Sequence, residues 1–549
     1  MNDSLFKEKT TPKVSQMRIR KKKRVSKPKF IEYNQHQIML LPPSIEEMIP
    51  ERHIVRTVNK IIDTMDIEAL INTYKGGGRS SYDPLMLLKV LVYGYVMKIY
   101  SSRRIAKALR EDINFMWLSG MQRPDFRTIN NFRSGRLKGV IDQVFSSMII
   151  FLTENNYIKL ENYFVDGTKI EANANRYSYV WSKNTQRYSA ITKAKIKELL
   201  KEIERINQEE GKKYGEKDLE EMGEDAEITS KKIEEQVEKL NKIISQIGEK
   251  PGQKKKDKNS GKKNRKLKSA VNKLNKKYLP KLRKYEEQEK IEDARSSYSK
   301  TDKDATFFMN KKNEYLPSYN LIMGTEEQLI VNYSLHQKAS ETDKFIPHME
   351  KLKRITNGKK PNRAIGDGTY GSDENYNFLK KEKIESYLKY PGFYQEVMGL
   401  ARKKRFNRIN FIYQQKEDKI YCPEGRPMLL QEIEERETDN GYKQQIRKYK
   451  GNCRGCKNLS ICSKSPGGRT VQFNKKLEKY KHLTKKNLCS PLGIELRKKR
   501  SVDVETVFGD IKLNQGFRRF NLRGLEKVNA EFGLVAMAHN IKKVGVMIN

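Results

Sequence analysis

The sequence predicts a mixed α/β protein with an all-α N-terminal domain, on three observations. Short apolar runs rich in β-branched and aromatic residues recur at Tyr163–Ile170, Ser318–Thr325, Gln328–Leu335, Arg363–Gly366 and Glu385–Tyr390. A helix pattern, Asp373–Lys381, lies between the last two, so strands and a helix alternate as in a mixed sheet. Ahead of them, residues 45–150 repeat apolar side chains at three-to-four spacing, the period of packed helices.

Composition narrows the function. The 549 residues include 112 Lys plus Arg against 69 Asp plus Glu, a formal net charge of +43. Hydrophobic residues make up 36%, which still leaves material for folded cores. So large a cationic excess repels itself unless an anionic partner is near, and nucleic acid, which releases counterions on binding, is the natural one. An anionic membrane is the rival, but no strongly apolar face accompanies the basic residues. The longest apolar stretch, Leu85–Ile99, is interrupted by Lys89 and Lys98, and a membrane span needs about 20 residues. The N-terminus lacks the apolar segment of a signal peptide, and five cysteines do not form a disulfide framework. The expectation is a cytoplasmic, nucleoid-associated protein without a membrane partner.

The elements follow in order. Residues 1–44 form a basic tail, with Arg18, Arg20, Lys21, Lys22, Lys23 and Arg24 at its centre. Such a tail is a solvated segment or an arm along a DNA backbone, and the two are compatible. In residues 45–150, a helical DNA-binding domain is expected. Ile54, Val55, Val58, Ile61, Ile62 and Met65 mark one helix, Gly76-Gly77-Gly78 breaks the chain, and Asp83-Pro84 caps the next. A third helix follows Ser101, and Pro124–Arg133 reads as a further helix with a basic polar face. Together they suggest a helix-turn-helix-like domain whose second helix enters a major groove. Arg103, Arg104, Arg127 and Arg133 are its candidate contacts, and a plain helical bundle is the alternative.

The sheet is expected in two pieces, 158–181 and 300–391. Between them, 182–299 is rich in Lys, Glu, Asn and Gln with a narrow stripe of Ile196, Leu199, Leu200, Ile203 and Ile206. That pattern predicts an inserted helical hairpin or coiled coil, broken by a Gly- and Lys-rich loop at Lys250–Lys263. Residues 392–490 form a second insertion that holds a cysteine cluster. Residues 491–549 return to the core with helices at Ile494–Leu513 and Leu525–Val544.

Three carboxylates stand among residues that favour burial. Asp166 interrupts the strand Tyr163–Ile170, Asp367 follows the strand Arg363–Gly366, and Glu505 sits among Val504, Val507, Phe508 and Ile511. An unpaired buried carboxylate is expensive, and a metal ion offsets that cost. Oxygen ligands suit Mg²⁺ or Mn²⁺, two of which can activate a nucleophile and stabilise a leaving 3′-oxygen. Taken singly, a strand-end Asp is also a common turn former or helix cap.

The blocks around these acids resemble the DDE transposases of bacterial insertion sequences. Asp166-Gly167-Thr168-Lys169-Ile170-Glu171-Ala172-Asn173 is similar to the block of the first catalytic aspartate, and Asp367-Gly368-Thr369-Tyr370-Gly371-Ser372 to that of the second. Arg500–Lys512 resembles the glutamate block, continued by Gly516–Val528. The resemblance covers almost the whole chain. It implies an RNase H-like catalytic core and two divalent ions on Asp166, Asp367 and Glu505. It also implies cutting and joining of double-stranded DNA at element ends and target, by a homodimer or larger synaptic complex. Some relatives carry Tyr, Arg, Glu and Lys in one helix. Here Glu505 and Lys512 match, while Ser501 and Lys498 fill the Arg and Tyr slots and Arg500 is adjacent. Lys512, Arg500, Arg518 and Arg519 are candidate contacts to DNA phosphates.

The cysteines follow as Cys422, Cys453, Cys456 and Cys462, with thirty, two and five residues between them. Paired thiolates suit a closed, structural Zn²⁺ site, zinc-ribbon-like in form, and related transposases carry a similar cluster before the glutamate helix. Free thiols are the alternative, and Cys489 is left outside the set. No Walker-type GxxxxGK[ST] loop occurs, in keeping with phosphodiester exchange that needs no ATP. Besides an active transposase, two other functions fit the sequence: an inactive DNA-binding descendant, and an RNase H-like nuclease without end specificity.

Overall fold

A six-stranded mixed sheet stands at the centre of the computed structural model, which describes residues 44–74, 81–214, 228–248, 258–293, 295–310, 313–465 and 467–548. The basic tail up to residue 43 and the Gly76-Gly77-Gly78 break lie outside the described residues. Asn162–Glu171 runs antiparallel to Tyr315–Glu326 on one side and parallel to Arg363–Gly366 on the other. Tyr315–Glu326 pairs antiparallel with both Thr306–Met309 and Leu329–His336, and Arg363–Gly366 pairs parallel with Glu385–Leu388. Every expected strand is present within a few residues of its predicted ends, and helix Asp373–Lys381 fills the last crossover. Tyr315–Glu326 is buried along nearly its whole length, as befits a strand with neighbours on both edges and helices packed over the sheet.

Two devices fix the sheet's geometry. The Glu326 carboxylate accepts hydrogen bonds from the backbone N–H groups of Lys159, Leu160, Glu161 and Asn162, at 3.0, 2.6, 2.6 and 2.9 Å. It thereby anchors the start of the Asp166 strand. The following turn puts Glu327 and Gln328 at φ of 51° and 62°, the primed geometry that hairpins prefer but that usually calls for Asn or Gly. Tertiary contacts hold it instead. Lys499 pairs with Glu327, Asp503 accepts from the Gln328 N–H, and His539 and Lys543 bond the Gln328 carbonyl and side chain.

The N-terminal helices share this core. Ile54–Asp63, Pro84–Val96, Ser102–Glu111 and Ile141–Glu154 bury residues in the same hydrophobic cluster as the sheet and helix Leu525–Ile548. Asp83 caps Pro84–Val96 by accepting from the N–H groups of Leu85 and Met86, as its position before proline predicts.

The first insertion is a bundle of helices Ser182–Tyr214, Ser230–Gly248, Lys258–Lys273 and Leu279–Glu292 with its own apolar cluster. A two-stranded ribbon, Tyr179–Trp181 with Ser297–Ser299, joins it to the core. The expected loop Lys250–Lys263 needs correction. Residues 250–257 lie outside the described residues, but 258–263 open the helix Lys258–Lys273. Packing of Leu267, Ala270 and Val271 into the bundle outweighs the low helix propensity of Gly261. The second insertion holds an antiparallel five-stranded sheet from Ile412–Gln414 to Thr470–Phe473. Helix Lys475–Cys489 then leaves that sheet for the core, where Tyr480 bonds Asn377 and Asn474 bonds Asp373.

Candidate active site

Strand register brings the two aspartates together. Phe164 pairs with Ile365 in the parallel ladder. Two residues further along each chain are Asp166 and Asp367, on the same face by the two-residue period of a strand. Adjacent strands lie about 4.8 Å apart, so the two acids stand side by side just beyond the parallel ladder. Asp367 is braced as a cap, its carboxylate accepting from the Thr369 N–H at 2.9 Å and the Thr369 hydroxyl at 3.2 Å.

Glu505 arrives on a helical segment that runs from Pro491 to Asn514 and contains two π-turns, Ser501–Glu505 and Asp510–Asn514. On an ordinary helix, residues five apart lie about 140° apart. The π-turn closes that angle and stacks Arg500 over Glu505. The Arg500 guanidinium then spans both acids, 2.9 Å from Glu505 Oε1 and 2.8 Å from Asp166 Oδ2. Arg500 is only 8% exposed. One helical turn's irregularity therefore ties the glutamate to the first aspartate.

Electrostatics link the third acid. Burial pushes the Asp166 carboxyl above its ordinary value. Arg500 and the Gly167 N–H oppose that shift, and the charges of Asp367 and Glu505 add to it. Lys512 reaches the same strand two positions on, donating to Thr168 Oγ1 at 2.6 Å and the Lys169 carbonyl at 2.8 Å. The expected shared face of Glu505 and Lys512 is thus the face toward the Asp166 strand.

A fourth acid, Glu341, was not singled out from sequence. Its carboxylate lies where a Cβ on Gly167 would be, 2.2 Å from that ideal position, and it accepts from the Tyr370 hydroxyl at 3.0 Å. Burial pushes its carboxyl up, Tyr370 opposes this, and Asp166 and Asp367 push further. The Gly directly after Asp166 was the available signal, since a small residue beside an acid leaves room for another group.

The other predicted residues separate into exposed and engaged groups. Arg103, Arg104 and Arg127 are exposed, and the Arg103 and Arg127 guanidinium groups lie 5.1 and 5.8 Å from the ring centroid of Phe126. Arg133 is buried, 4% exposed, with hydrogen bonds to Tyr95 Oη and the Tyr100 carbonyl. Arg127 and Arg133 are six residues apart, about 120° around a helix, so the pair never shared one face. Arg519 bonds the carbonyls of Ala172 and Ala174, fastening the Phe517–Leu522 segment to the end of the Asp166 strand. Arg518 is exposed and donates to the Lys512 carbonyl.

Cys422, Cys453, Cys456 and Cys462 all line one cavity of about 20 Å³, beside Phe406, Phe411 and Arg469. That volume suits one water or ion. All four are free thiols, and Cys489 stands apart, exposed. Arg426 clips the two cysteine loops together through the carbonyls of Arg454 and Gly455.

The donor sets fit metals in kind: oxygens at the acidic centre, sulfurs in the cysteine cavity. Among the described residues, however, no group of three or more His, Cys, Asp or Glu side chains is drawn closely enough to hold an ion as the side chains stand. At the acidic centre the cation between Asp166 and Glu505 is the Arg500 guanidinium.

Among the described residues no helix is long and apolar enough to cross a membrane. Residues 421–545 match the family model described as transposase DDE domain, and residues 43–135 match the one described as transposase domain (DUF772). Glu505, Arg500, Lys512 and the four cysteines fall in the first match, and Arg103, Arg104, Arg127 and Arg133 in the second. Asp166 and Asp367 lie in neither. No curated protein and no solved structure matches the chain.

Proposed function

Because the chain belongs to the DDE transposases of the insertion-sequence type, we propose that it binds the terminal inverted repeats of such an element and catalyses DNA strand cleavage and strand transfer. The observation that supports this most strongly is the Arg500 bridge between Asp166 and Glu505, with Asp367 in register beside Asp166. An RNase H-like core is supported by a sheet in which three antiparallel strands adjoin three parallel ones, with one acid inside the first parallel strand and another directly after its neighbour.

Asp166, Asp367 and Glu505 would hold two Mg²⁺ or Mn²⁺ ions. Bound there, such ions lower the pKa of water and stabilise a departing 3′-oxygen. Water first, and then the freed 3′-hydroxyl, would attack phosphorus in line, each step exchanging or hydrolysing one phosphodiester without ATP. Arg500 aligns the two carboxylates and offsets their mutual repulsion. Its buried guanidinium makes it a positioning residue rather than the phosphate contact expected from sequence. Lys512, bonded to Thr168 and Lys169 just beyond Asp166, would supply a charge-assisted contact to a phosphate of the strand being cut. Arg518 extends that cationic edge.

Arg103, Arg104 and Arg127 would contact the duplex, and Arg133 would hold the domain's interior. Cys422, Cys453, Cys456 and Cys462 would hold a structural Zn²⁺. Two element ends call for a homodimer or larger assembly, acting in the cytoplasm on nucleoid DNA.

The test uses a duplex bearing the inverted repeats that flank the gene. The wild-type chain should cut it in Mg²⁺ or Mn²⁺. Asp166→Asn should lower cleavage by about 10³-fold or more and leave end binding nearly unchanged. Cleavage retained by purified Asp166→Asn protein rejects the assignment. A wild-type chain that binds ends but never cuts identifies an inactive descendant.

A further inference from the structure

Away from the acidic centre, the helical insertion carries a one-sided cationic stripe. From Lys258 to Tyr285 the sequence has twelve Lys and Arg and no Asp or Glu. The helix Lys258–Lys273 and the π-turn Leu274–Tyr278 sort these residues by face. Leu267, Ala270, Val271 and Leu274 are buried in the bundle. Arg265, Lys268, Lys273, Lys276 and Lys277, with Asn272, line an open groove of about 530 Å³ on the other side, and no acid lines it. With Ser269 and Asn272, the lining residues recur three and four apart from Arg265 to Lys277, so they follow one helix face rather than scatter.

The dimensions indicate what fits. Arg265 to Lys277 spans about 18 Å at 1.5 Å per residue. One strand of duplex DNA presents a phosphate every 3.4 Å of axis, so that length faces about five phosphates, enough for the row's cations to engage several at once. A small anion would engage only one or two of them, and the groove is open along its length, as a rod-like ligand requires. We propose that this face of the insertion is a second, sequence-independent seat for duplex DNA, gripping the backbone outside the catalytic core. It rests on the transposase reading only in that DNA is the polyanion this chain meets.

The experiment measures the salt dependence of the full-length chain's affinity for a duplex without inverted repeats, by fluorescence anisotropy. The variant carries Lys268→Gln, Lys273→Gln, Lys276→Gln and Lys277→Gln. All four side chains are exposed, so the bundle's apolar cluster is untouched. The slope of log affinity against log salt should become shallower by about 3.6, four contacts at 0.9 each.

A control neutralises Lys359, Lys380, Lys381 and Lys383. These exposed residues precede strands Arg363–Gly366 and Glu385–Leu388, at the end of the sheet remote from Asp367. The control should leave the slope unchanged. An unchanged slope in the groove variant, or an equal change in the control, overturns the proposal. A loss confined to structured RNA also overturns it. Binding is read without cleavage, so a chain that shows the slope change but never cuts keeps this inference while rejecting the transposase reading.

Discussion

Gly324 carries much of the centre of the sheet. It faces Val165, the residue before Asp166, and a Cβ built on it would fall 1.8 Å from the Tyr163 hydroxyl oxygen. Tyr163 cannot retreat, because that hydroxyl lies 2.6 Å from Nε2 of fully buried His348. Gly324→Ala should therefore destabilise the chain by about 1–3 kcal/mol through overpacking, and an unchanged urea midpoint would contradict this. Gly167→Ala differs, since the obstructing atom is the mobile end of Glu341. Stability should change little while cleavage falls.

His348 and its neighbour His336 also make stability depend on pH. Burial lowers His336 from its ordinary 6.5 to about 4, with Lys344 adding to the effect, and lowers His348 further. Between pH 6.5 and about 4 the unfolded chain binds protons that the folded chain refuses, so stability is complete above that window and is lost as pH falls through it. The urea midpoint should drop between pH 7 and pH 5, and drop less in His336→Asn. Equal drops in the two proteins would show that His336 contributes nothing to the pH dependence.

At the scale of elements, the core strands were legible because burial on both faces leaves unbroken apolar runs. The hairpin turn was not: Glu327-Gln328 has no Asn or Gly, and its geometry is imposed by Lys499, Asp503, His539 and Lys543 from distant segments. The glutamate helix was legible and its π-turns were not, since periodicity marks a helix but not one extra residue in a turn. That residue is what joins Arg500 to Glu505.

The cysteine sheet was hidden for another reason. Strand Pro427–Glu437 is mostly exposed, so it lacks the apolar alternation by which strands are recognised. Its small core of Phe411, Ile420, Met428, Tyr449, Val471 and Phe473 is of the size that needs a staple. Zinc analysis of the full chain should find one ion, lost in the double variant Cys453→Ser with Cys456→Ser. Limited proteolysis should then open residues 412–473 while the central sheet stays protected. Wild-type protein without zinc, or a variant as resistant as wild type, would contradict the assignment.

Over the whole molecule, charge is divided by role. Among the described residues, cations line outward faces such as the insertion's row and the Arg103–Arg127 patch, while the candidate acids sit inside one strand, just past its parallel neighbour and on one helix. Asp166, Asp367 and Glu505 were candidates from sequence; strand register sets Asp367 beside Asp166 and Arg500 ties Glu505 to it, and composition encodes neither relation. Asp166, Asp367 and Glu505 are proposed to act as one unit. The most direct test compares cleavage of end-bearing duplex by Asp166→Asn, Asp367→Asn, Glu505→Gln and the triple variant. Each single change should remove about 10³-fold or more of the rate and the triple should be no worse, as for residues acting together, with end binding preserved throughout. A single variant that cuts within about tenfold of wild type, against the non-additivity expected of such a unit, would contradict it.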